Sequence, residues 1–203
     1  MKIAQEYNHL NAREFLIVHH HKTYKEILSV IEDIKAEDHL TKVSAEKTKM
    51  GHVLFNPSTL NIAFKEKLIT YGWKDTRRDF FVSTDPDVVK QLESLEYDEQ
   101  KKLLTKLKLP LHDSYNQTDF VKNKIAIEVQ LGKYFAVTYD LFVKHLSFYN
   151  ASIIDAGIEI LPTKAMQQRM SSGISWFEKE VHNVLRHGRT NPPVPVLMLG
   201  IEP

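Results

Sequence analysis

The 203-residue chain contains no cysteine. Disulfides, cysteine-ligated zinc and iron–sulfur clusters are therefore excluded, and the composition suits the cytosol. No apolar run reaches the length of a membrane span. The first fifteen residues, MKIAQEYNHLNAREF, are too polar for a secretory signal, so a cytoplasmic protein with no membrane attachment is expected. Charge of one sign is also lacking: 27 Lys and Arg face 26 Asp and Glu, a net charge of +1. That balance does not advertise a nucleic-acid binder, and it does not exclude one. A cluster of carboxylates at one place and a basic groove at another cancel in the sum. What remains is ordinary for a globular protein, 42% apolar and 26% charged. The length suffices for one well-buried core, and a single domain over residues 1–203 is expected.

Periodicity divides the chain. Tyr24, Ile27, Leu28, Ile31 and Ile34 have helical spacing, and a second helix is predicted after Asn56-Pro57-Ser58, with Leu60, Phe64 and Leu68 on one face. Residues 87–107 read as a polar helix, and the charged stretch before them, DTRRDFFVSTDPD, as a loop around a short apolar run. Asp85-Pro86-Asp87 reads as a helix start with favourable charge. The period then changes. Ile125, Ile127 and Val129 alternate with polar neighbours, which predicts a strand over residues 124–130. Helical spacing returns over 135–149. A strand follows over 152–161, interrupted at Ala156-Gly157. Then come a helix over 174–186, stopped near Gly188, and a last strand over 194–201. Helices first, then alternating strands and helices, predict an α/β fold with a central mixed sheet flanked by helices.

The chemistry concentrates at one strand. Side chains alternate along it, so Glu128 and Gln130 share a face, their stems about 6.5–7 Å apart. The opposite face sends Ile125, Ile127 and Val129 into the core. Asp119 lies upstream, across a Lys122-Asn123-Lys124 turn, and a hairpin there would fold it back beside Glu128. Two converging carboxylates bind a hard cation such as magnesium, which takes oxygen ligands and keeps several waters. Such a cation supports phosphoester hydrolysis. The bland alternative is a solvated face beside an exposed turn, and spacing alone does not decide between the two.

Asp119, Glu128-Val129-Gln130 and Gly132-Lys133-Tyr134 resemble the active-site strand of PD-(D/E)XK restriction endonucleases, most closely the BglII branch of the BamHI/BglII group. Tyr7-Asn8-His9, KVSAEKTKMGHVLFNP (42–57) and KLITYGWK (67–74) are similar to the same branch, so that matching segments cover about half the chain in order. The resemblance implies a homodimeric type II enzyme that hydrolyses double-stranded DNA with Mg2+ at a GATC-centred palindrome, with RGATCY as the expected site, and leaves 5′ overhangs. It implies Asp119, Glu128 and Gln130 as catalytic residues, with Asp119, Glu128 and the Val129 carbonyl as metal ligands. Asp75 falls near a segment that supplies an accessory polar group in such enzymes. One departure stands out. The superfamily's signature ends in Lys, where this chain has Gln130, which carries no charge and cannot serve as a base near neutral pH.

Each subunit of a two-fold dimer reads one half of a palindrome. Base contacts are expected from Lys133, directly after the strand, and from Arg169, Ser171 and Ser172 in the polar run before the helix at 174. Either serine could instead only cap that helix. The helix over 135–149 is assigned to the dimer interface by resemblance, with core packing as the other reading. His19-His20-His21 fits a solvated helix approach better than a metal site, since adjacent histidines seldom converge on one ion. The rival to an enzyme is a DNA-binding regulator that uses residues 174–186 as its recognition helix. That reading lacks the second short helix of a helix-turn-helix and leaves the acidic strand unexplained.

Overall fold

The computed structural model describes residues 1–132 and 136–203. The elements run β1 (Lys2–His9), α1 (Ala12–His19), α2 (His21–Asp33), β2 (Lys42–Val43), β3 (Val53–Leu54), α3 (Pro57–Thr70), β4 (Lys74–Val82), α4 (Pro86–Glu93), α5 (Tyr97–Lys106), β5 (His112–Lys122), β6 (Ile125–Val129), α6 (Ala136–Tyr139), a π-helical turn (Asp140–Lys144), α7 (His145–Asn150), β7 (Ala156–Pro162), α8 (Lys164–Gln168), α9 (Phe177–Arg186) and β8 (Val196–Glu202). Six strands form one mixed sheet in the order β1-β8-β7-β6-β5-β4. β6, β7 and β8 are parallel, and the outer pairings are antiparallel. The α/β class with a central mixed sheet is as the periodicity predicts. Among the described residues no helix is long and apolar enough to cross a membrane.

Two apolar layers enclose the sheet. On one face Leu16, Ile27, Ile31, Leu60, Phe64, Leu68 and Trp73 pack against Phe120, Ile125, Ile127, Val129, Ile158 and Leu199. On the other, Val137, Leu141, Phe177 and Val184 cover Leu161, Val196 and Met198, while Phe148 and Ile154 cover Ala126. β6 and β7 are buried on both faces, as central parallel strands are. α3 starts as its sequence indicates, with the Asn56 side chain accepting from the Ser58 N–H and Pro57 in the first turn.

Several expectations need correction. The chain opens with a strand, not a helix: β1 is an edge strand whose sheet partner among the described residues is β8, at the far end of the chain. The charged stretch after Trp73 is a nine-residue strand, β4, paired with β5. The single helix read over 87–107 is two, α4 and α5. Buried Gln100 joins them: it accepts from the Phe81 N–H and donates to the carbonyls of Leu92 and Leu95. The strand expected from 152 begins only at Ala156 and includes Pro162, and the last helix begins at Phe177.

Two local features aim the residues singled out above. β5 and β6 form a hairpin whose turn residues Asn123 and Lys124 have φ of 49° and 61°, the positive pair that a type I′ turn requires. Lys74 pairs with Val121 but Thr76 with Thr118, so β5 carries one extra residue, a bulge at Asp119–Phe120. The bulge turns the strand over. Asn116, before it, accepts from the Tyr139 hydroxyl on one side of the sheet, and Phe120, its second residue, lies in the core on the other.

The turn yields a test. Lys124 holds a left-handed conformation that glycine adopts without strain, and its exposed pairing with Asp155 at 3.7 Å contributes little. Lys124→Gly is expected to stabilise the protein by roughly 0.5–1 kcal/mol in urea unfolding. A loss of stability would show that the ion pair outweighs the backbone strain.

Candidate functional site

Glu128 sits on β6, in register with Glu159 of β7, and its side chain is 0% exposed. It points to the side of the sheet covered by the helical run from Ala136 to Asn150. From the π-helical turn in that run, the Lys144 ammonium reaches Glu128 Oε1 at 2.7 Å and Asp140 Oδ1 at 2.7 Å. Gln130 Nε2 donates to the other Asp140 oxygen at 2.5 Å. Glu128 and Gln130 therefore share a face, as alternation requires, and both work through Asp140. The ammonium contact on Glu128 is an ion pair without hydrogen-bond alignment, and neither Glu128 oxygen has a hydrogen-bond partner among the described residues.

The electrostatics follow from one ammonium serving two carboxylates. Burial pushes the Glu128 carboxyl up to about 8, Asp140 and Asp119 push the same way, and Lys144 opposes them. Burial likewise raises Asp140. For Lys144 burial favours the neutral form, but the attraction of Glu128 and Asp140 outweighs it and holds the ammonium charged. These directions agree, because two negative groups share one positive group and a net negative charge is left in an apolar setting. Behind them His145 Nε2 lies 3.0 Å from Glu159 Oε1. Burial brings His145 down to about 3 and holds Glu159 well above the carboxylate range, so this pair is neutral.

Asp119 and Glu128 are the next residues along their strands beyond the last hairpin pair, Phe120 with Ile127. They open differently. Asp119, at the bulge, is exposed and lines a cleft of 550 Å³ with Lys65, Lys74, Asp75, Gln117 and Val129. Gln117 Nε2 donates to Asp75 Oδ2 at 3.1 Å, so Asp75 does stand beside Asp119 in this cleft. Glu128 lies under the surface, sensing the Asp119 charge without a direct contact among the described residues. No group of three or more His, Asp or Glu side chains among the described residues is arranged to hold a metal ion alone.

The polar run after β7 is held by the β2–β3 hairpin. Lys42 Nζ donates to Ser171 Oγ at 2.6 Å, and the Ser172 N–H donates to both Glu46 carboxylate oxygens at 3.1 and 3.3 Å. The exposed Arg169 guanidinium stacks 4.5 Å from the Phe55 ring, and Lys49 Nζ donates to the Met170 carbonyl at 2.6 Å. The capping reading of the serines fails: α9 starts later, at Phe177, with Trp176 as its N-cap and no side-chain cap. Lys133 and Tyr134 lie outside the described residues. The helical run after β6 is in part buried and in part open: Leu141 and Phe148 are core, whereas Tyr139 and Val143 are 45% and 41% exposed.

Residues missed from the sequence are Asp140, Lys144, His145 and Glu159. Two left a signal. Glu159 stands between Ile158 and Ile160 in an apolar strand, and Asp140 and Lys144 are an acid–base pair four apart in an otherwise apolar helix.

The family model for restriction endonuclease BglII/BglIII matches residues 4–201. The chain belongs to this family. It is thus a type II restriction endonuclease, an enzyme that cleaves double-stranded DNA at specific sites. Restriction endonuclease BglII complexed with a DNA 16-mer has a similar fold, with a TM-score of 0.64 at 19% identity over 98% of this chain and 76% of that one. Free BglII gives 0.58 at 17% identity over 100% and 80%. No curated protein sequence matches the chain. In this BglII-family fold the acidic cluster and the run from Arg169 to Ser172 follow the carboxyl ends of adjacent parallel strands, where open α/β sheets place their ligands.

The raised Glu128 carboxyl gives a pH dependence. Between the ordinary value of 4.5 and about 8, the folded protein keeps a proton that the unfolded chain has released. The stability contributed by Glu128 in the presence of chelator is therefore expected to fall as pH rises through that window and to level off above it. Urea unfolding across the window should show a shallower slope for Glu128→Gln, with Asp140 and Glu159 supplying the remainder. Equal slopes would mean that Glu128 does not carry the effect.

Proposed function

We propose that this endonuclease hydrolyses double-stranded DNA with Mg2+ at a palindrome centred on GATC, RGATCY, leaving 5′ GATC overhangs, and that it acts as a homodimer. The observation that supports the catalytic part is that Glu128 is buried and short of hydrogen-bond donors, one strand across from Asp119 at the end of the β5–β6 hairpin. A carboxylate so placed calls for a cation, and the residues present fit a magnesium ion: Asp119, Glu128 and the Val129 carbonyl would hold it, with water completing its shell. When bound, the metal supplies charge to the phosphate under attack. The chain's own residues do the rest. Gln130 orients water and, through its bond to Asp140, is itself held in place. Lys65 and Lys74 offset the Asp75 and Asp119 carboxylates in the cleft and offer cations to the DNA backbone.

Recognition falls to Lys133 and to Arg169, Ser171 and Ser172, the last three already ordered by the β2–β3 hairpin. The exposed Tyr139 and Val143 offer an apolar strip that a second copy would cover in the dimer. A two-fold dimer matches a palindromic site.

Plasmid carrying GATC sites should yield discrete fragments ending at RGATCY with Mg2+ and stay intact with chelator. Asp119→Asn and Glu128→Ala should each lower cleavage by about 10²–10³-fold or more while the folded protein still binds DNA. Parental rates in either variant would move the catalytic site elsewhere. Lys133→Asn should change the preference at the outer base pair, measured as relative rates on the flanking variants. Unchanged ratios would remove Lys133 from recognition.

A further inference from the structure

Lys144 has no part in the reading above, yet its ammonium lies at the centre of the acidic cluster. Three observations bear on it. Its side chain is 12% exposed and stands 2.7 Å from an oxygen of each of two buried carboxylates, Glu128 and Asp140. Asp140 is satisfied on its other oxygen by Gln130, whereas Glu128 has no hydrogen bond among the described residues to replace the ammonium. Lys144 also sits at the end of a π-helical turn, Asp140–Lys144, closed by the His145 N–H donating to the Asp140 carbonyl, an irregularity concentrated at functional sites. The two carboxylates are thus unequal: Asp140 is tethered, and Glu128 depends on a shared cation.

We propose that Lys144 is the resident counter-ion of Glu128 in the metal-free enzyme, and that a divalent cation takes Glu128 by displacing this ammonium, which stays on Asp140. The inference rests on the reading of Glu128 as a metal ligand. Two cations cannot both neutralise one carboxylate as fully as either alone, so the ion pair and the metal compete, and each weakens the other. Once Glu128 is ionised, Lys144 is the cation that faces its buried charge in the apo enzyme. Lys144 is a positioning residue here, acting on the metal site through Glu128.

Calorimetric titration of MgCl2 into metal-free protein without DNA, buffered above pH 8 where Glu128 is ionised, tests this. Lys144→Met should bind Mg2+ about tenfold more tightly than the native protein, the change expected when a competitor of that strength is removed. It should also melt lower in chelator and gain more on addition of Mg2+. Lys144→Arg should restore the native affinity. Lys67→Met, which removes an exposed charge remote from the cluster, should leave it unchanged. If Lys144→Met does not fold without metal, Asp140→Asn serves: it leaves Lys144 to Glu128 alone and should weaken Mg2+ binding about tenfold. Native affinity in either folded variant, or weaker binding in Lys144→Met, overturns the proposal. Glu128→Ala separates the two readings. Mg2+ binding that survives Glu128→Ala overturns the metal site itself. Binding that is lost there but unchanged in Lys144→Met overturns only the role of Lys144.

Discussion

Glu128 lies on the strand where the sheet changes from antiparallel to parallel pairing, with its carboxyl fully enclosed. Burial of an uncompensated carboxylate in such a place costs several kcal/mol, and the surrounding structure is arranged around that cost. The helical run after β6 contributes Asp140 and Lys144 from one π-helical turn, Gln130 anchors Asp140, and the neighbouring strand presents Glu159 to His145 as a neutral pair. Even Gly157 belongs to this arrangement, since a β-carbon there would stand 2.8 Å from the His145 ring. Close packing between β7 and the helix keeps water out, and the exclusion of water is what gives the few charges left inside their strength.

The sheet carries the site in a second sense. β6 and β7 run parallel, so the segments after both emerge on the same side of the molecule. One leads to Gln130 and the helical run, the other to α8 and the polar run from Arg169 to Ser172. The β2–β3 hairpin closes against the second through Lys42, Glu46 and Lys49. The acidic cluster and the polar run are therefore built on adjacent strand ends, and rigid β-structure fixes the distance between them. The bulge in β5 adds the third part by turning Asp119 out into the cleft with Asp75 and Gln117. The pair α4 and α5 is packed on β4 through Phe81, Val88, Leu92 and Leu104 and stands apart from these strand ends.

Much of this could be read along the chain, and the parts that could not have a common cause. The alternation of Ile125, Ile127 and Val129, the helical faces of α2 and α3, and the α/β class depend on local period, which burial of one face imposes on the sequence directly. The shared face of Glu128 and Gln130 follows from the same period. β1, β4 and β5 escaped because they are strands by virtue of their partners. β1 is made by pairing with β8, almost the whole chain away, and β4 lies at the sheet edge, where charged side chains such as Arg77 and Asp79 remain in water. No periodic apolar face was needed there, so none was written. The positive φ values at Asn123 and Lys124 and the extra residue at Asp119–Phe120 are likewise products of pairing.

The sequence by itself determined the α/β class, the strand bearing Glu128 and Gln130, the likeness to BglII-type endonucleases and the absence of cysteine chemistry, because each is a property of local order or residue type. Only the tertiary structure decided that Asp119 sits on a bulge, that Ser171 and Ser172 are bound to the β2–β3 hairpin and cap no helix, and that Lys144 shares its charge between Glu128 and Asp140. The reason is physical. The side chain that meets a buried charge is chosen by which backbone passes within about 3 Å of it, and that proximity exists only after the sheet has closed.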